Sequence, residues 1–158
     1  MKTETAFFAA GCFWGVEDSF GKLPGVLETE VGYMGGDTPS PTYEKVCTGG
    51  TGYAETVKVI FDPKIISYAA LLEHFFTMHN PTTLSKQGLD VGTQYRSAIF
   101  TTTQEQQTEA FLIVKKLNTE EKFEDLIVTE ILDAPGFYKA EEYHQKYSKK
   151  NKGFVCHI

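Results

Sequence analysis

Cys12 is the residue whose type and setting point most directly to chemistry. It stands in Ala9-Ala10-Gly11-Cys12-Phe13-Trp14-Gly15-Val16-Glu17, between an apolar run and the start of a helical pattern. The run Ala6 to Ala10, with Phe7 and Phe8, has the length and apolarity of a buried strand, and Gly11 breaks it into a turn. A cysteine at the start of the following helix meets unpaired backbone N–H groups and the positive end of the helix dipole, which favour a thiolate. The pattern therefore predicts a nucleophile, with Phe13 and Trp14 supplying apolar surface beside the sulfur. Most free cysteines are small buried hydrophobes. The glycines at 11 and 15 and the nearby tryptophan favour the reactive reading here.

Glu55 is the second candidate. From Ala54 to Phe61, Val57, Val59 and Phe61 alternate with Thr56, Lys58 and Ile60, the period of a strand with one buried face. Counting back along that face places Glu55 on it. Burying an ionised carboxylate without a partner is costly, so the expected outcome is a raised pKa and a protonated group. Beside a cysteine, such an acid is a proton donor. The alternative is a strand that frays before residue 55 and leaves Glu55 in solvent.

The elements that must hold these two residues follow from periodicity and punctuation. A helix is expected from Trp14 to Leu23, closed by Pro24-Gly25, then a strand from Val26 to Tyr33. Residues Gly32 to Gly52 read as a loop of the length that is functional or mobile, with at most one short helical turn from Pro41 to Val46. Asp62-Pro63 turns the chain, and Ser67 caps a helix from Tyr68 to His79 with Leu71, Leu72, Phe75 and Phe76 on one face. His79 is expected as a helix-end residue, where a cation is favoured, rather than as a base. A polar loop from Thr82 to Thr93 carries Asp90, and a strand follows from Gln94 to Thr101. Thr103-Gln104-Glu105-Gln106 opens a helix bearing Ala110, Phe111, Val114 and Leu117. Leu126 to Leu132 is expected as a strand and Ala140 to Tyr147 as a last helix. This order predicts an α+β domain, a mixed sheet packed with helices around a ferredoxin-like core, with Cys12 at a strand-to-helix turn.

Composition narrows the classes. The 158 residues suffice for one domain with its own core, 41% of them hydrophobic and 23% charged. A net charge of -6 argues against a nucleic-acid partner. Lys146, Lys149, Lys150 and Lys152 read as a solvated basic tail, and residues 146–158 as a mobile C-terminal segment. No apolar run reaches membrane-spanning length and the start lacks a secretory h-region, so the expected location is the cytoplasm. Cys12, Cys47 and Cys156 do not suggest a disulfide framework, and the histidines at 74, 79, 144 and 157 do not suggest a metal site.

Gly11-Cys12-Phe13-Trp14-Gly15 resembles the signature of the A-type peptide methionine sulfoxide reductases. Gly32-Tyr33-Met34-Gly35-Gly36, Pro41-Thr42-Tyr43, Gly52-Tyr53-Ala54-Glu55 and Gly88-Leu89-Asp90-Val91-Gly92-Thr93-Gln94-Tyr95-Arg96-Ser97 resemble that family's other blocks, in its order. The resemblance implies Cys12 as nucleophile, with Phe13 and Trp14 as the pocket for the substrate's S-methyl group. It implies that Tyr43, Glu55 and Tyr95 bind and protonate the sulfoxide oxygen, and that Asp90 supports the site through polar contacts. It further implies a sulfenic acid on Cys12, Cys156 as the resolving cysteine, and thioredoxin as the reductant, with no cofactor. The S epimer of methionine sulfoxide, protein-bound or free, is the implied substrate, and a monomer the expected state. Cys47 is expected to be a structural thiol. The chain departs from the family at Tyr53, where a histidine is usual. Rival readings are a cysteine peptidase or acyltransferase, which needs a histidine base, a thiol peroxidase, and a non-enzymatic peptide-binding module.

Overall fold

The first strand, β1 (Glu4–Ala10), is buried from Ala6 onward on both faces. Its unbroken apolar run is therefore the mark of a strand at the centre of a sheet. The computed structural model describes residues 2–151 and 153. After β1 come α1 (Phe13–Gly21), β2 (Val26–Met34), α2 (Tyr43–Cys47), β3 (Ala54–Phe61) and α3 (Tyr68–Met78). A two-residue hairpin follows, β4 (Lys86–Gln87) and β5 (Asp90–Val91), then β6 (Ser97–Thr101), α4 (Gln104–Thr119), β7 (Glu130–Asp133), β8 (Tyr138–Lys139) and α5 (Tyr147–Lys150).

Six strands form one sheet in the order β7-β6-β1-β3-β2-β8. Strand β1 runs antiparallel to β3 and β6, β2 antiparallel to β3 and β8, and β7 parallel to β6. With α1 linking β1 to β2 and α3 linking β3 to β6, the four inner strands make the expected ferredoxin-like core. Val57, Val59 and Phe61 of β3 join Phe8, Phe20, Val31, Leu71, Leu72 and Phe75 in the main core. Each large apolar side chain buried there contributes about 1.5–3 kcal/mol. A smaller cluster of Phe7, Ala9, Met34, Ala54, Ala98 and Phe100 lies on the opposite face under Ala134 and Phe137.

The caps behave as read, with one shift. Ser67 accepts from the Ala70 N–H, and Thr103 from the Gln106 N–H. The Gln106 side chain reaches back one residue further than a capping box requires, to the Thr102 N–H. On α4, Phe111 faces solvent, and Ile113 joins Val114 and Leu117 against the core.

Three expected elements change. The strand expected from residue 94 begins only at Ser97, because Thr93–Tyr95 form a 3-10 turn entered through Gly92 at φ 147. The strand expected over residues 126–132 is instead Glu130–Asp133, the residues of this segment that pair with β6. The last helix is broken into a 3-10 turn, Glu142–His144, and α5. Gln145 interrupts it by using its side-chain amide as a substitute strand residue, accepting from the Val31 N–H and donating to the Val31 and Ala140 carbonyls.

The solvated lysine tail also needs correction at its first member. Lys146 takes a left-handed backbone, φ 54, and its N–H donates to Glu17 Oε1 at 2.7 Å. Its Nζ pairs with Glu17 Oε2 at 2.9 Å and bonds the Thr29 carbonyl. Ser148 bonds Asp18 at 2.9 Å, so the start of the C-terminal segment is fastened along α1. Glu17 is buried on α1 and would be an orphan charge without this partner.

Truncating Glu17 to Ala should therefore destabilise the protein by about 2 kcal/mol in urea unfolding. This is less than the roughly 3–5 kcal/mol of a fully buried pair because the Lys146 side chain is 38% exposed. Lys22→Ala, which removes the exposed pair with Asp18, should cost less than about 0.5 kcal/mol.

Candidate active site

Gly11, at φ 107, lets the chain leave β1 and turn at once into α1, a conformation open to glycine without strain. Cys12 then takes the N-cap position of α1 without a side-chain cap hydrogen bond, partly exposed. The next residue, Phe13, donates its N–H to Glu55 Oε1 at 3.1 Å, joining the helix start to β3. Glu55 is 1% exposed, on the same face as Val57 and Val59, as the alternation predicted. Its Oε2 is buried and has no hydrogen-bond partner among the described residues. Burial pushes the Glu55 carboxyl up to about 8, against the pull of the Phe13 N–H and with a further push from Asp90. At neutral pH the acid is therefore protonated, with Oε1 engaged as an acceptor and Oε2 able to donate.

The thiolate expected at Cys12 is not the resting form. Burial pushes its thiol up to about 12, Glu55, once it ionises above about 8, and Asp90 push the same way, and the N–H groups of Trp14 and Gly15 oppose them. A helix start supplies about 0.5–2 kcal/mol to an anion. Dehydrating that anion costs several, roughly, and wins. The resting pair is a thiol beside a carboxylic acid.

Aromatic rings wall the pair. Phe13 is fully buried, its ring 5.8 Å from Tyr33 and 6.5 Å from Tyr43. Trp14 is half-buried, 6.3 Å from Tyr43, with the Tyr147 ring stacked on it at 3.8 Å. Tyr43 opens α2, and Tyr95 comes from the 3-10 turn after β5. Burial first, and the Glu55 charge second, raise the pKa of both phenols. The charge of Asp90, on β5, bears on Cys12, Glu55 and Tyr95 alike. The structure thus brings Cys12, Phe13, Trp14, Tyr43, Glu55, Asp90 and Tyr95 to one end of the sheet; Cys156 lies outside the described residues.

Other singled-out residues find separate places. Cys47 ends α2, exposed and free, with its thiol against the Tyr43 hydroxyl. Tyr53 turns away from Glu55: its hydroxyl donates to the Thr38 carbonyl at 2.6 Å, and its ring packs on Gly36. The contact a histidine would make there is thus replaced by anchorage of the 35–39 loop. His79 ends α3 as expected, but it is neutral rather than a cation, since burial lowers its pKa to about 4. Each imidazole among the described residues is already committed: His74 to Ser19, His79 to the Phe75 carbonyl and Ser97, His144 to Trp14.

Sequence reasoning missed two pocket residues. Glu141 accepts from the Tyr33 hydroxyl at 2.7 Å and from the Tyr43 N–H at 2.9 Å. His144 is fully buried and accepts from the Trp14 indole at 2.9 Å. The signal was Glu141-Glu142-Tyr143-His144-Gln145, too polar and aromatic for the amphipathic helix assigned to it.

A thiol set beside a buried acid and ringed by aromatic side chains, with no described imidazole turned to the sulfur, has the make-up of a cysteine-enzyme site rather than of a cysteine–histidine one. The family model described as peptide methionine sulfoxide reductase matches residues 4–158. A peptide methionine sulfoxide reductase MsrA from Methanothermobacter thermautotrophicus is 54% identical over 155 residues, covering 98% of this chain and 92% of that one. The crystal structure of Mxr1 from Saccharomyces cerevisiae in reduced form superposes with a TM-score of 0.90 at 38% identity, over 98% of this chain and 90% of that one. Mxr1 in complex with Trx2 gives a TM-score of 0.66 at 26% identity, over 92% and 85%. The chain belongs to the peptide methionine sulfoxide reductase family.

The buried acid has a consequence for stability. A carboxyl held at about 8 in the fold, against an ordinary value of 4.5, keeps a proton that the unfolded chain has released. Its stabilising contribution is full below the ordinary value and is lost as pH rises through the folded one. Glu55→Gln cannot titrate. Its thermal midpoint should therefore gain on wild type between about pH 5 and pH 8, and an offset constant over that range would refute a neutral Glu55.

Proposed function

We propose that this chain reduces methionine S-sulfoxide, in proteins and as the free amino acid, with Cys12 as nucleophile and Glu55 as proton donor. The observation that carries the reading is the buried Glu55 carboxyl, bonded through Oε1 to the residue after Cys12 and left with a buried Oε2 that has no partner among the described residues, a setting that pushes its pKa up to about 8. A sulfoxide sulfur is only weakly electrophilic. Proton transfer from Glu55 to its oxygen, assisted by the Tyr43 and Tyr95 hydroxyls, makes the sulfur attackable as negative charge leaves that oxygen. The Phe13 and Trp14 rings receive the S-methyl group, and Asp90 supports the site through its polar surroundings.

The protons balance within the pair. Glu55 gives its proton to the sulfoxide oxygen, and the Cys12 thiol proton passes to the Glu55 carboxylate as the sulfur attacks. The oxygen ends on Cys12 as a sulfenic acid and methionine leaves as the thioether. The Cys156 thiol, carried on the 146–158 segment of the same domain, then condenses with the sulfenic acid, releasing water and forming a disulfide. A dithiol reductant exchanges with that disulfide, and thioredoxin is the partner that fits. The free thiols of Cys12 and Cys47 suit a reducing compartment, which supports a cytoplasmic location.

Incubation with each resolved sulfoxide epimer and dithiothreitol, counting methionine formed, tests the reading. Methionine should come from the S epimer, and Cys12→Ser should yield none. Glu55→Gln should slow turnover about a hundredfold or more. In wild type kcat/KM should fall as pH rises through about 8, where the free enzyme loses the Glu55 proton, and a kcat/KM rising through that range would place the donor elsewhere. With thioredoxin, Cys156→Ser should give one methionine per enzyme and stop. Full cycling would mean that an outside thiol attacks Cys12 directly.

A further inference from the structure

One imidazole in the pocket wall has no part in the chemistry above. The His144 ring lies 4.4 Å from Tyr43, 5.2 Å from Phe13 and 4.0 Å from Tyr143. Its Nδ1 is 2.9 Å from Trp14 Nε1. An indole N–H can only donate, so Nδ1 must accept and the ring proton belongs on Nε2. Nε2 faces Glu141 Oε1 at 3.9 Å and has no hydrogen-bond partner among the described residues. A carboxylate on that side favours the tautomer that leaves Nδ1 open to the indole. Glu141 is in turn held by Tyr33 on β2 and by the Tyr43 N–H on α2. One chain of contacts therefore runs from two elements of the fold, through Glu141 and His144, to the indole of the pocket.

We propose that His144 is a positioning residue for the substrate pocket: neutral, it holds the Trp14 indole in place, and its protonation removes that hold and weakens sulfoxide binding. The proposal rests on the methionine sulfoxide reading of the pocket. A protonated imidazole donates from both nitrogens, which turns Nδ1–H against the indole N–H. Among the described residues, the titratable groups facing the ring are Glu141 and Tyr143 from its own stretch and Tyr43 from α2. Strand β2 acts through the Tyr33 hydroxyl on Glu141, and α1 presents the Phe13 and Trp14 rings. Burial lowers the pKa of His144 and the Glu141 charge opposes it, so the change falls below the ordinary histidine value of about 6.5. Glu55 titrates at about 8, in a separate range.

Trp14 is the single tryptophan of the chain, so one indole N–H resonance reports the contact. Its pH titration should show an inflection below about 6.5 that coincides with the titration of the His144 ring. The inflection should vanish in His144→Gln, which offers an acceptor without a charge. With N-acetylmethionine S-sulfoxide amide and dithiothreitol, KM should rise about tenfold through the same inflection while kcat changes less than about twofold. His144→Phe should carry the raised KM at every pH. An indole resonance that ignores the His144 titration in wild type overturns the proposal, and so does the same acid inflection in His144→Gln. Where the Gln variant fails to fold, the wild-type resonances decide alone. Failure to reduce any sulfoxide would overturn the functional reading instead, and the indole titration would still judge the His144–Trp14 link.

Discussion

The hydrogen bond from the Phe13 N–H to Glu55 Oε1 spans 42 positions in the sequence and fixes the sulfur and the acid side by side. It depends on the sheet order. Strand β1 delivers Cys12 at its end, β3 pairs directly with β1, and the register that sets Val57 opposite Phe8 leaves Glu55 near the mouth of the same strand pair. On the other side of β3, Tyr33 lies opposite Glu55 and reaches Glu141, so the sheet also places the support of the pocket wall. Shifting β3 by one residue would turn Glu55 to the other face and Thr56 toward the sulfur. The acid is thus held by strand pairing as much as by its own hydrogen bond.

What the sequence made legible was local or periodic. Alternation along β3 located Glu55, the apolar run and Gly11 located the strand-to-helix turn, and Ser67 and Thr103 marked their helix starts. Each of these follows from a few neighbouring residues. What stayed hidden depends on partners far along the chain. The protonation of Cys12 is decided by how much water the fold removes from the sulfur and by carboxyl groups at 55 and 90, and neither is encoded near residue 12. The helix-start argument was correct in sign, since the Trp14 and Gly15 N–H groups do favour the anion, and too small in size.

The stretch from Tyr138 to Lys150 was the least legible for the same reason. Its polar side chains make sense only against distant backbone: Gln145 completes the edge of β2, Lys146 neutralises a buried Glu17, and Glu141 holds the start of α2. A reader counting apolar spacing finds a weak helix there. The physical content is a strap whose hydrogen bonds reach three elements, α1, β2 and α2. Tyr53, where the chain departs from the family motif, likewise depends on a distant partner: its hydroxyl bonds the Thr38 carbonyl and anchors a loop.

The protonated resting pair fits the proposed reaction better than a standing thiolate would. A thiolate at 12 would place a negative charge within reach of Asp90 and Glu55, raising the acid's pKa further and exposing a strong nucleophile to any oxidant. With both groups neutral, the sulfur stays weakly reactive until something accepts the Glu55 proton. In the proposed reaction a sulfoxide oxygen does so, and the carboxylate it leaves behind is the base that takes the thiol proton. Substrate recognition and activation of the nucleophile are then one event, and no step requires the buried pair to hold two negative charges together.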